Sequence, residues 1–162
     1  MRLRMPKLRK YQIVLLSVSL LLVIACIVAT VVCYPSLPDS IPAHYGGDGS
    51  VDRYGGKESA FLIPIINLVI FLVFVLLLFS PRVLENPNTL KPLDARFKPL
   101  VVQQSIATIV ESSFLCVLFM SYIQLFILIQ KPLNTVGAYI IVGILVTDSL
   151  IRTIKLSTFT AK

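Results

Sequence analysis

Long apolar runs alternate with short polar ones along the chain. The first run is Tyr11–Cys33, "YQIVLLSVSLLLVIACIVATVVC", and the second is Phe61–Phe79, "FLIPIINLVIFLVFVLLLF". The third, Leu100–Ile129, holds several polar residues, and the fourth is Thr135–Ile151, "TVGAYIIVGILVTDSLI". A helix crosses the ~30 Å hydrocarbon core with about 20 residues. The first two runs fit that length, the fourth is at its short limit, and the third is long enough to tilt or protrude. The pattern predicts an all-α fold, a four-helix transmembrane bundle with a small extracellular hairpin-like loop. In residue numbers, a basic N-terminus (1–10) precedes span one (11–33), a loop (34–60) and span two (61–80). A second loop (81–99), span three (100–130), a tight turn (131–134), span four (135–151) and a tail (152–162) follow. The first run continues seven residues past the "VIAC" at Val23–Cys26, too far for an ordinary signal-peptide core, so an uncleaved span is expected.

Composition agrees with a membrane protein. Of the 162 residues 56% are hydrophobic, and the mean hydropathy is +0.87. A net charge of +7 raises the question of nucleic acid, but the basic residues flank apolar runs and form no basic face. No nucleic-acid partner is expected. Twelve basic residues lie on one side: Arg2, Arg4, Lys7, Arg9, Lys10, Arg82, Lys91, Arg96, Lys98, Arg152, Lys155 and Lys162. Only Arg53, Lys57 and Lys131 lie on the other. The positive-inside rule then places both termini and the 81–99 loop in the cytoplasm, in a multi-pass protein of the cell membrane. The cysteines, Cys26, Cys33 and Cys116, lie in or beside apolar runs without metal-ligand spacing, so they are expected as small packing residues.

The polar sequence is concentrated in "LPDSIPAHYGGDGSVDRYGGK", Leu37–Lys57, which holds the only histidine and five of the seven glycines. Pro35, Pro38 and Pro42 fix φ and favour extended geometry before them, giving a stiff strap. "GGDG" is a turn signal between two candidate strands. A three-residue turn over Gly47–Gly49 would set His44 opposite Asp52, and a two-residue turn would shift that register. His44 with Asp39, Asp48 and Asp52 has the donor types of a metal site but lacks ligand spacing, and aspartates beside glycine commonly form turns. A loop-shaping role for His44 is the expectation, with no metal and no cofactor. No nucleophile motif is present, so no enzyme is expected.

That same stretch resembles the signature of a bacterial membrane-protein family that includes the SdpI immunity protein. The family pattern is LP-x-x-IP-x-H, a glycine-containing turn, then G-x-x-D and a lysine before a span. Leu37, Pro38, Ile41, Pro42, His44, Gly49, Asp52 and Lys57 match it in order. The resemblance covers under a third of the chain. It departs from the family in having four spans, where SdpI-type members have more, and in lacking their G-x-R-[ST]-like segment. The resemblance implies an extracellular loop that meets a secreted toxic peptide, and a regulator contacted in the cytoplasm. Pro38, Pro42, His44, Gly49, Asp52 and Lys57 would then bind ligand or shape the loop.

Polar residues inside the spans form a second candidate region. Gln104, Thr108 and Glu111 fall on one face of the third helix. Glu111 lies about 16 Å from Leu100 by helical rise. A carboxylate at such depth costs at least about 2.5–3.5 kcal/mol unless it is neutral or partnered. Asn67, at comparable depth on the second span, is a candidate partner. Asp148 is placed about 11 Å away in depth and forms an i,i+4 pair with Arg152. Besides immunity or sensing, a small proton-linked transporter using Glu111 and an accessory subunit of a membrane complex remain open.

Overall fold

In a computed structural model of the chain, residues 7–84, 95 and 97–160 are described, with the side chains of 81, 82 and 156–160 left aside. Arg2, Arg4, Lys91, Arg96 and Lys162, counted above toward the cytoplasmic side, lie outside the described residues, as does most of the 81–99 loop. Four long helices dominate: α1 (Lys10–Cys33), α2 (Leu62–Leu78), α3 (Lys98–Leu128) and α4 (Thr135–Thr160). All four are long and apolar enough to cross a membrane. Between α1 and α2 lies an antiparallel hairpin, β1 (Ser40–Tyr45) and β2 (Val51–Gly56), followed by a 3-10 segment, Lys57–Phe61. The fold is therefore all-α with one small two-stranded sheet.

The burial pattern is that of a membrane bundle. Large apolar side chains point outward, among them Leu21, Val32, Leu76 and Val136. Hydrocarbon is as apolar as leucine, so helices gain little by hiding such residues and associate through small and polar ones. In α1 the buried residues are Gln12, Ser19, Val23, Cys26 and Thr30, a stripe spaced by three, four and seven. Asn67 in α2, and Ser113 and Gln124 in α3, are also fully buried.

α3 is the hub, packing against α1, α2 and α4. Three apolar layers stack along it. Leu78, Ile106 and Val110 fill one end; Val23, Phe71 and Val117 fill the middle. Leu37, Ile41, Ala60 and Ile127 fill the end beneath the hairpin. Polar contacts tie these layers. Gln124 Nε2 donates to Thr30 Oγ1 at 2.8 Å and to the Ala60 carbonyl at 3.0 Å, joining α3 to α1 and to the 3-10 segment that leads into α2. α4 is held differently. Its main helix contact is α3, and Ala138 alone is buried among its described residues.

α4 continues to Thr160, nine residues beyond the apolar run. Only the first part of this helix is apolar, so hydropathy marks the span but not the helix end.

Candidate functional site

The hairpin is built by the residues that mark it in the sequence. Pro42 has no N–H to donate, and it lies buried in β1 opposite Tyr54. Pro38 is exposed, between the buried anchors Leu37 and Ile41. The turn closes through Gly46 N donating to the Ser50 carbonyl at 2.8 Å and Gly49 N to the Gly46 carbonyl at 2.9 Å. Asp48 Oδ1 accepts from the Ser50 hydroxyl at 2.7 Å and the Ser50 N–H at 3.0 Å. Those bonds, the hydroxyl's first, hold the Asp48 carboxyl below the usual carboxylate range.

Register places His44 opposite Arg53, with irregularities on both sides of His44. The side chains of His44 and Asp52 nevertheless meet, Nδ1 to Oδ1 at 2.6 Å, on the exposed face. Lys57 approaches Asp39 at 3.6 Å and lies over the Tyr34 ring, 5.6 Å from its centre. Among the described residues, no three His, Cys, Asp or Glu side chains converge as a metal site.

The sequence gives no hint of where the hairpin tip rests. It is seated on the connection between α3 and α4. Leu133 N donates to the Gly49 carbonyl at 2.8 Å, and the Tyr139 hydroxyl to the Gly47 carbonyl at 2.5 Å. The Tyr45 hydroxyl donates to the Lys131 carbonyl at 3.2 Å. Burial pushes the Tyr45 phenol up to about 12, with Tyr54 adding to the shift, which keeps it a donor. Gly49 is buried with φ +83°, and a Cβ there would meet the Leu133 carbonyl and lie 2.7 Å from Thr135 Cγ2. Two independent constraints, conformation and space, therefore require glycine at this position.

At the opposite end, Glu111 pairs with Arg152 Nη2. The same guanidinium holds Asp148 through Nε, at 2.9 Å and 3.0 Å to the two carboxylate oxygens. Glu111 and Arg152 are each 17% exposed. This corrects two expectations. Asn67 is not the partner of Glu111; its Nδ2 donates to Ser121 Oγ at 3.0 Å and to the Val117 carbonyl at 3.5 Å. Nor is Asp148 remote from Glu111, since both share one arginine. The apolar run stops at Ile151 but α4 runs on past it, so the run's edge does not mark the depth of Asp148. Thr108 returns its hydroxyl to the Gln104 carbonyl at 3.0 Å, and Gln104, Thr108 and Arg152 line one cavity of about 200 Å³.

The residues singled out from the sequence thus fall into two groups at opposite ends of the bundle. Pro38, Pro42, His44, Gly49, Asp52 and Lys57 belong to the hairpin, and Gln104, Thr108 and Glu111 to the Arg152 end. Asn67 lies between them. Leu133, Tyr139 and Arg152 are the participants that the motif left out. No curated protein and no solved structure matches the chain. Residues 21–68, from within α1 through the hairpin into α2, match a family described as a domain of unknown function, DUF1648, whose members are membrane-associated.

Proposed function

We propose that this integral membrane protein is a non-enzymatic immunity or sensing protein that binds a secreted peptide through its hairpin. In this reading the hairpin faces outward, both termini are cytoplasmic, and a cytoplasmic regulator reads the inner end. The supporting observation is the hairpin's double attachment. It is continuous with α1 and α2, and its tip is seated on the α3–α4 turn through Gly49, Gly47 and Tyr45. A ligand that grips the hairpin therefore bears on all four helices. The sequence resemblance to the family containing the SdpI immunity protein supplies the ligand class.

The test is survival. Cells expressing the protein are challenged with membrane-active peptide fractions from bacterial culture supernatants. Protection by the wild type, lost in His44→Ala/Asp52→Ala at equal membrane abundance, is the expected result. Protection that persists in that variant overturns the hairpin as binding surface.

A further inference from the structure

A second cavity, of about 160 Å³, opens where the start of α1, the start of α3 and the inner part of α4 meet. Arg9, Tyr11, Gln103, Gln104 and Arg152 supply its polar wall. It is smaller than the roughly 300–1,000 Å³ of a drug-sized ligand site and suits a headgroup. Gln104 and Arg152 also wall the neighbouring cavity, whose lining includes Val83 and Ile109.

Chemistry narrows the ligand. Two arginines, Arg9 just before α1 and Arg152 on α4, line one small space. Arg152 meets its carboxylates through Nε and Nη2, and Nη1 is in neither pair. Gln103 Nε2 donates to the Lys7 carbonyl at 3.0 Å, while its buried Oε1 has no partner among the described residues. The wall thus offers charged donors and one waiting acceptor. Lys7, Lys10, Lys98 and Lys155 add positive charge at this end, against Glu111 and Asp148. Guanidiniums favour phosphate oxygens through charge-assisted bonds. Basic pockets between spanning helices at the membrane surface suit anionic headgroups.

We propose that this cavity binds the phosphate group of an anionic phospholipid from the adjoining leaflet, held by Arg9 and Arg152, with Gln103 Oε1 accepting a headgroup hydroxyl. Phosphatidylglycerol has both features, and phosphatidylcholine lacks the hydroxyl and the net charge. The bound lipid fastens α1 and α3 to α4 where α4 has little apolar packing of its own.

The full chain, purified in mild detergent, is titrated with phosphatidylglycerol or phosphatidylcholine and weighed by native mass spectrometry. Phosphatidylglycerol should be retained preferentially, and Arg9→Gln should lower its retention about tenfold, the scale of one lost charge-assisted contact. Gln103→Leu should lower it by a smaller factor, and it leaves the Arg152 pairs intact. Lys10→Gln, an adjacent charge that does not line the cavity, should leave retention unchanged. A parallel titration with inorganic phosphate separates the sources. Phosphate that adds to the protein and displaces the lipid would assign the site to a soluble phosphate and overturn the lipid. Equal retention of both lipids, or equal losses in Arg9→Gln and Lys10→Gln, would overturn the site itself.

Discussion

Replacing Gly49 by alanine tests whether the hairpin is seated or merely nearby. A non-glycine residue in the left-handed region costs about 1–2 kcal/mol. Here the added Cβ also meets the Leu133 backbone carbonyl and Thr135 Cγ2, so relaxing φ alone does not relieve it. The tip must lift, which forfeits the bonds from Leu133 N, the Tyr139 hydroxyl and the Tyr45 hydroxyl. At about 0.5–1.5 kcal/mol for each net hydrogen bond, lifting costs roughly 2–4 kcal/mol of local stability. The helices lose no packing, so the loss is confined to the α3–α4 turn. Hydrogen exchange of the protein in lipid nanodiscs reads this directly. The Leu133 amide should exchange at least about tenfold faster in Gly49→Ala, while the mid-span amides of α3 stay protected. Gly47→Ala is the control, because its Cβ would meet only the Tyr139 hydroxyl, at 3.9 Å. Wild-type protection at Leu133 in Gly49→Ala would refute the seat, and so would an equal loss in Gly47→Ala.

Further outcomes follow from other parts of the structure. Glu111→Gln should be nearly silent in stability, because Arg152 keeps Asp148; Arg152→Leu takes the shared cation from both carboxylates and should cost about 3–5 kcal/mol, partly recovered in Arg152→Leu/Glu111→Gln, as read by denaturation in detergent. Gln124→Leu removes two interhelical bonds and should cost only about 1 kcal/mol, since such bonds average about 0.6 in membranes, as the same assay checks. The raised Tyr45 phenol stabilises the seat fully below about pH 10, its unfolded value, and that contribution is lost as pH rises through about 12; the phenolate absorbance of wild type minus Tyr45→Phe should titrate near the upper value. In a Cys33→Ser background, Ser50→Cys should react with an impermeant thiol reagent on intact cells and Lys10→Cys should not, and the reverse would invert the proposed orientation.

The four spans were legible because hydropathy acts through length alone, and each run matches its helix at the apolar end. The hairpin was legible too, since prolines and glycines leave few alternatives to a strap and a turn. Its register was not. His44 stands opposite Arg53, and irregularities in the strand pairing bring its ring to Asp52. The seat on the α3–α4 turn was invisible because every one of its bonds ends on a backbone group: Leu133 carries no signature for the N–H it donates, nor Lys131 for the carbonyl that the Tyr45 hydroxyl reaches. The Glu111 partner, by contrast, was recoverable. Seventeen residues separate Glu111 from Leu128, and seventeen separate Thr135 from Arg152. Counting from the shared α3–α4 turn puts both about 26 Å along. Counting from the opposite apolar edges placed Asp148 elsewhere, because hydropathy fades before α4 ends.

The distribution of contacts on α4 bears on how the two ends relate. Among its described residues this helix buries one, Ala138, and its polar ties include Tyr139 and the preceding turn on the hairpin and, farther along, Asp148 and Arg152 with Glu111. In the sensing reading, a helix tied at these two places moves as one body against α3. The transporter reading needs Glu111 to give up and regain a proton, yet its charge is already met by Arg152. The sensing reading needs only that two positions of α4 differ in free energy by an amount a ligand can offset. A ligand with equal affinity for both positions shifts nothing, however tightly it binds. Contact with the hairpin alone is therefore insufficient; the ligand must favour one seating of the tip on the 131–135 turn. Gly49→Ala, which lifts the tip, should then leave peptide binding in place while separating it from any response at Arg152, whereas His44→Ala/Asp52→Ala should abolish both.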